Sequence, residues 1–341
     1  MSNKVTILVP CRNEEKNIAS CLNSIINQDY PKNLIEVLII DGMSTDRTRF
    51  IIKNYIDKYN FIKLLDNPKK IVPSALNLGI KAATGDIIIR MDVHTKYAED
   101  YVTQCIKILN QTGADNVGGP WVASGESYVQ KAIAKAFQSK FSSGGAGSHN
   151  HKYTGYIDSV YLGCWKKSTL EKIGLFDEEL VRNQDDELNL RIIRSGGKIW
   201  QSSSIKSWYY PRSSIRSLFK QYMQYGYWKV RVIQKHKIPA SIRHIIPGTF
   251  LVFLTISLLL GIKFKISRLF FILMIGTYLI FNLIATLSIC KKPQNWKYIP
   301  IIPFVLAAFH LGYGYGFLRG LLDFIVFKKL NIAKFSQLTR S

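Results

Sequence analysis

The sequence predicts an α/β fold: a mostly parallel sheet with helices on both faces, then a surface-lying helix and apolar C-terminal helices. Three observations predict it. The first 120 residues alternate between strand-like apolar runs and helical periodicity, the pattern of a parallel sheet covered by helices. The charge is lopsided: residues 1–187 hold 22 of the 23 acids and half of the 46 bases, whereas residues 188–341 hold 23 bases and one acid, Asp323. The basic part also carries the longest apolar runs, as a membrane anchor does.

The elements follow in chain order. Residues 4–9, 36–40, 62–65 and 86–91 are Val-, Ile- and Leu-rich and read as buried strands. Ile18, Cys21, Leu22, Ile25 and Ile26 recur at helical spacing, as do Ile51, Ile52, Tyr55, Ile56 and Tyr59, and then Tyr101, Val102, Cys105, Ile106 and Leu109. Residues 142–152 (S-S-G-G-A-G-S-H-N-H-K) read as a long loop. In residues 215–237, Ile215, Leu218, Phe219 and Tyr222 mark one face beside Tyr225, Tyr227, Trp228 and several bases, which predicts a helix on a membrane surface. Residues 245–262 and 269–289 are long enough for a transmembrane hairpin, and 298–318 form a third run broken by prolines and glycines. The predicted domains are 1–235, a membrane domain at 244–327 and a basic tail at 328–341.

Composition excludes several classes. At 341 residues the chain has room for about two domains. Its 47% hydrophobic and 20% charged residues exclude a collagen-like or disordered chain. A net charge of +23 invites a nucleic-acid reading, but the bases follow the apolar runs, so no nucleic-acid partner is expected. The five cysteines show no C-x-x-C spacing and read as reduced thiols.

Ligands of open parallel sheets bind outside the carboxyl ends of the strands, and the polar residues gather there. P-C-R-N-E-E (Pro10 to Glu15) ends the first strand, D-G-M-S-T-D-R-T (Asp41 to Thr48) the second, and M-D-V-H (Met91 to His94) the fourth. One rim would then carry Pro10, Arg12, Asn13, Glu14, Asp41, Asp92 and His94. No glycine-rich phosphate cradle occurs. A nucleotide's phosphates would need another counter-charge, such as a divalent metal. Asp92 and His94, two apart on an extended chain, face one side and could ligate it, although such a triplet also suits a polar strand end. A second acidic cluster, N-Q-D-D-E-L-N-L-R (Asn183 to Arg191), reads either as a capped helix start or as the source of a proton-accepting carboxylate.

Together V-P-C-R-N-E-E-K-N-I, D-G-M-S-T-D-R-T, A-L-N-L-G-I-K-A-A-T-G-D-I-I-I-R-M-D-V-H and I-G-L-F-D-E-E-L-V-R-N-Q-D-D-E-L-N-L-R resemble glycosyltransferase family 2 with its GT-A fold, over residues 3–235. The chain is most similar to succinoglycan-type glucosyltransferases of bacterial polysaccharide assembly, and H-L-G-Y-G-Y-G-F-L-R-G (His310 to Gly320) carries the same likeness. The resemblance implies transfer of a sugar, with inversion, from a nucleotide-sugar donor, UDP-linked by analogy. The acceptor would be lipid-linked or a saccharide, and the bilayer a partner, with the catalytic domain on the cytoplasmic side of a multi-pass membrane protein. Asp41 matches the acid that contacts the nucleoside base. Asp92 matches the first acid of D-x-D, and Pro10, Arg12, Asn13 and Glu14 match the first nucleotide-facing loop. Asp185 matches the general base, with Asp186 as second choice, and the helix after Asp185, with Arg191, would fix the carboxylate's orientation.

The chain departs from the family pattern at three places. His94 replaces the last acid of D-x-D, leaving an Asp92–His94 site for Mn²⁺ or Mg²⁺ with altered preference. Gln184 stands where a Glu precedes the base. Q-x-x-R-W survives only as Gln221-Tyr222-Met223-Gln224-Tyr225, which favours single addition over processive polymerisation. Two rival readings exist: a sugar-phosphate nucleotidyltransferase, which needs a glycine-rich basic loop after the first strand, and a non-catalytic membrane scaffold derived from the same fold.

Overall fold

The computed structural model describes residues 3–145, 147–239, 241–329 and 335. Most of the expected basic tail 328–341 lies outside the described residues. The chain forms two compact units: Met1–Val122 with Gly147–Tyr210, and Ala123–Ala146 with Pro211–Ser341. The second unit therefore takes in residues 211–235 and an internal segment, where the sequence put its boundary near 235.

The first unit is built on β1 (Val5–Cys11), β2 (Ile35–Asp41), β3 (Ile62–Asp66) and β4 (Ile87–Arg90), which pair in parallel in the order 3-2-1-4. β1 and β2 are buried at almost every position, so both faces need cover. Helices α1 (Ile18–Ile26) and α4 (Tyr101–Thr112) cover one face through Ile18, Leu22, Val102 and Leu109. α3 (Val72–Ala82) covers the other with Leu76 and Ile80. All four expected strands and the three periodic helices are present, with α2 (Thr48–Ile56) the second of them.

The sheet is mixed: among the described residues most of its strands run one way, as expected, and two run against them. Beyond β4 it continues through β9 (Tyr161–Lys166), antiparallel to both β4 and β6 (Asn116–Gly119), then β10 (Ile199–Gln201) and β8 (Gly155–Tyr156). A second small sheet orders β5 (Thr95–Tyr97), β11 (Ser207–Tyr209) and β7 (Val122–Ala123). The segment 142–152 is not all loop: it contains a 3₁₀ turn, Gly147–His149. The buried Gln201 amide donates toward the carbonyls of Gly147, Asn150 and Tyr153. All five cysteines are free and buried.

In the second unit, α9 (Ile215–His236) packs along α12 (Ile302–Gly320). Glycines set the approach. A Cβ on Gly316 would collide with the Met223 carbonyl oxygen, and one on Gly226 with that of Tyr313. Gly312 and Gly320, one turn to either side, face the carbonyls of Phe219 and Tyr227. Small residues every fourth position let helix backbones touch, the device membrane helices use. Tyr227, Trp228 and Lys229 are consequently buried.

α10 (Ile246–Gly261) and α11 (Lys265–Ile289) pack as a hairpin, with Arg268 Nε donating to the Gly261 carbonyl at 3.1 Å. Phe253, Leu259, Ile272, Leu273, Leu283 and Leu287 on this pair are exposed. Among the described residues, α11 is the one helix long and apolar enough to cross a membrane, and α10, at 16 residues, is shorter. At about 1.5 Å per residue, α10 falls short of the ~30 Å hydrocarbon core.

Candidate active site

The strand ends come into register where the sequence put the polar residues. Cys11, Asp41 and Asp66 are direct neighbours across β1, β2 and β3. Asp41 is fully buried. Its carboxylate accepts from the Ser44 backbone N–H (3.0 Å), the Ser44 hydroxyl (2.5 Å) and Arg49 Nη1 (2.8 Å). Arg49 also reaches Asp66 at 2.7 Å. Asp41 thus shapes the 41–48 loop from within and turns no free carboxylate outward. Burial and the adjacent Asp41 push the Cys11 thiol far up, so it stays protonated.

The loop after β1 clasps the loop after β2. Asn13, in the left-handed region at φ 53°, donates its backbone N–H to Ser44 Oγ (2.8 Å) and accepts from Thr45 N–H at its side-chain oxygen (2.9 Å). Glu14 N–H donates to Thr48 Oγ1 at 2.8 Å, and the Glu14 carboxylate accepts from the Asn17 amide at 2.8 Å. Pro10 closes β1, and the Arg12 stem packs against Gly42. Four of the expected residues, Arg12, Asn13, Glu14 and Asp41, therefore belong to one double loop.

Asp92 lies just past β4. Arg90, two residues earlier on the same side of the strand, holds both its oxygens: Nε to Oδ1 at 2.7 Å and Nη2 to Oδ2 at 2.9 Å. Burial alone would lower the Arg90 guanidinium. The charge and hydrogen bonds of Asp92, followed by the field of Asp185, instead hold it well above its usual value. One buried cation thus feels both the strand-end acid and the helix-start acid. Burial first, and then the charge of Asp92, push the Tyr161 phenol well up, and its hydroxyl shares a hydrogen bond with Thr95 Oγ1 at 2.6 Å.

An aromatic wall adjoins this centre. Trp121 stacks on Tyr161 with centroids 5.1 Å apart and planes 7° from parallel. Tyr209 meets Trp121, Tyr161 and His94 edge-on, and the buried His149 meets Trp121 the same way. Sequence reasoning missed Arg90, Tyr161, Trp121, Tyr209 and Arg49. Only Arg90 had a local signal, its i−2 spacing from Asp92.

Asp185 and Asp186 occupy the first turn of α8 (Gln184–Arg194), which opens from Asn183 in the left-handed conformation at φ 62°. Their charges sit at the positive end of the helix dipole, each worth about 0.3–1 kcal/mol. Asp185 accepts a hydrogen bond from the Asp186 N–H at 2.9 Å. The rest of α8 is locked in place. Leu188 and Ile192 enter the core, and Asn189 bridges Asn116 (2.8 Å) and Ser159 (3.0 Å). Arg191 anchors the helix: its guanidinium pairs with Glu187 and donates to the carbonyls of Ile173 and Leu175. Arg191 therefore fixes the helix, and the base only through it.

Metal ligation is limited. Among the described residues no cluster of three or more His, Cys, Asp and Glu side chains could hold an ion alone. Asp92 shares both oxygens with Arg90, and His94 offers one imidazole. This donor set fits a divalent ion that arrives with phosphate oxygens supplying most of its ligands, the habit of Mg²⁺-type sites.

Comparison with known proteins agrees with this geometry. The family described as Glycosyl transferase family 2 matches residues 6–166. The chain is 34% identical over 328 residues to the Methanococcus voltae dolichyl N-acetyl-alpha-D-glucosaminyl phosphate 3-beta-D-2,3-diacetamido-2,3-dideoxy-beta-D-glucuronosyltransferase, covering 94% of this chain and 98% of that protein. It is 29% identical over 325 residues to the succinoglycan biosynthesis protein ExoA of Rhizobium meliloti, covering 95% and 96%. In fold it is similar to a mannosyltransferase of Pyrobaculum calidifontis solved with GDP-mannose and Mn²⁺ (TM-score 0.59, 17% identity, 90% of this chain and 86% of that one). It is also similar to residues 1–349 of TarS from Staphylococcus aureus (TM-score 0.52, 18% identity, 92% and 90%). The sheet, the paired loops and the carboxylates around Arg90 are those of a GT-A-like enzyme, and the chain belongs to glycosyltransferase family 2.

Proposed function

We propose that the chain is an inverting, non-processive glycosyltransferase that moves a hexose from a UDP-linked sugar to a lipid-linked or saccharide acceptor in cell-surface polysaccharide assembly. The observation that carries this reading is the strand-end carboxylate of Asp92, held through both oxygens by Arg90, in the same unit as Asp41 and Asp185. In the proposed reaction, the double loop of Arg12, Asn13 and Glu14, shaped from within by Asp41, cradles the nucleoside, and Asp92 faces ribose and diphosphate. Asp185 takes the acceptor hydroxyl's proton as that oxygen attacks the anomeric carbon from the side opposite the leaving diphosphate. A divalent ion held by Asp92, His94 and the diphosphate would neutralise the leaving group's charge. The degenerate Gln221–Tyr225 segment supports single addition. The names of the two full-length relatives, one dolichyl-linked and one of succinoglycan biosynthesis, support the acceptor class. The exposed apolar surface of α10 and α11 and the basic C-terminal part support a multi-pass membrane protein with its catalytic unit in the cytoplasm.

Exhaustive chelation is expected to abolish transfer, and Mn²⁺ or Mg²⁺ to restore it. His94→Asp is expected to shift the preferred ion toward Mg²⁺, which favours oxygen ligands. Initial rates across a metal series check both. Full activity after chelation would remove the ion from the account.

A further inference from the structure

We infer that a cavity between α9 and the end of α12 binds the phosphate group of a lipid. This deepens the lipid-linked acceptor reading above and rests on it. The cavity has a volume of about 320 Å³ and is lined by Arg231, Gln234, Phe324, Ile325 and Lys328. At about 30 Å³ per water, it has room for a phosphate and the first atoms of its ester chain.

The lining joins two cations and one amide to two apolar side chains, and each part has a structural cause. α12 continues into a π-helical turn, Leu321–Val326, closed by Phe327 N–H donating to the Leu322 carbonyl at 2.8 Å. Such widened turns often mark functional sites. The turn presents Phe324 and Ile325 to the cavity, and then Lys328, in the left-handed region at φ 49°. From α9, the Arg231 guanidinium lies 5.9 Å from the Phe324 ring centre and donates to Gln234 Oε1 at 2.6 Å, while Gln234 Nε2 reaches the Phe324 carbonyl at 3.4 Å. Asp323 is the only acid in residues 188–341, and it is committed elsewhere: fully buried, it accepts from Arg319 Nε at 3.0 Å and Tyr227 Oη at 3.3 Å. Arg231 over the Phe324 ring and Lys328 on the same lining, with Ile325 half exposed beside them, match an anionic headgroup with an apolar tail and match neither a free sugar nor a neutral lipid.

The test titrates the full-length chain, purified in a neutral detergent, with three probes by calorimetry: dioctanoyl phosphatidic acid, dioctanoyl glycerol and inorganic phosphate. The wild type should bind the phosphatidic acid, and equal concentrations of the other two should neither bind nor displace it. Arg231→Gln with Lys328→Gln should weaken binding roughly tenfold or more, and Arg231→Lys with Lys328→Arg should retain most of it. Lys328→Gln alone, at an exposed position, should weaken binding partially in a protein that is certain to be folded if its unfolding midpoint matches wild type. Unchanged binding in the charge-removed variants, binding of dioctanoyl glycerol at equal strength, or displacement by inorganic phosphate would each overturn the site. Nucleotide-sugar turnover, measured separately, reports on the glycosyltransferase reading: its absence would sink that reading without altering the isotherms.

Discussion

Asp185→Asn is expected to bind the nucleotide diphosphate like wild type and to lose transfer by about 10²- to 10⁴-fold, the usual cost of removing a general base. Asparagine is nearly isosteric, and losing the first-turn charge costs only about 0.3–1 kcal/mol of dipole attraction, so α8 should stay in place. Its anchors lie elsewhere, in Leu188, Asn189, Ile192 and the Glu187–Arg191 pair. A purely capping role for Asp185 predicts near-normal stability and near-normal rate. Asp186→Asn is the internal comparison and should be milder. Single-turnover rates with nucleotide binding measured in parallel separate the cases. A collapse confined to Asp186→Asn would move the base one residue along.

Gly316→Val should unfold or split the second unit. A side chain there meets the Met223 carbonyl of α9, which is backbone and cannot swing aside. Overpacking typically costs about 1–3 kcal/mol and more where backbone must move. Gly276→Ala, on α11, is the control: nothing lies within 4 Å of the added Cβ, and replacing a mid-helix glycine gains about 1 kcal/mol of helix propensity. Thermal unfolding of the two variants in detergent should therefore move in opposite directions. A Gly316→Val protein as stable as wild type would mean that α9 and α12 do not touch.

The difference between what the sequence revealed and what it hid has physical reasons. β1, β2 and β4 are nearly continuous apolar runs, because strands covered on both faces must be apolar, and such runs stand out, whereas the edge strand β3 (I-K-L-L-D) is half exposed. β6 and β9 are short and carry glycine (N-V-G-G and Y-L-G-C-W-K), so their antiparallel insertion left no periodic trace. α9 has an amphipathic pattern that suits a bilayer surface and a helix partner equally well. The glycines at 312, 316 and 320, some 80 residues or more downstream, show that it has a helix partner. At the site, residue types and order were legible: Asp41, Asp92 and Asp185 all lie in the unit built on the sheet. Their partners were less so. Arg49 for Asp41 and the Trp121–Tyr161–Tyr209 wall join distant segments, and the pairing of Arg191 with Glu187 depended on which of three consecutive acids faced inward.

The central claim is sugar transfer from a nucleotide donor, and one measurement bears on it most directly. Full-length protein in membranes, supplied with Mn²⁺ and a lipid extract, is given a panel of radiolabelled nucleotide sugars, one at a time. The account predicts that one donor releases its nucleoside diphosphate while its label enters the lipid or saccharide fraction, and that Asp185→Asn abolishes this transfer. If every nucleotide sugar stayed intact under these conditions, the account would be contradicted.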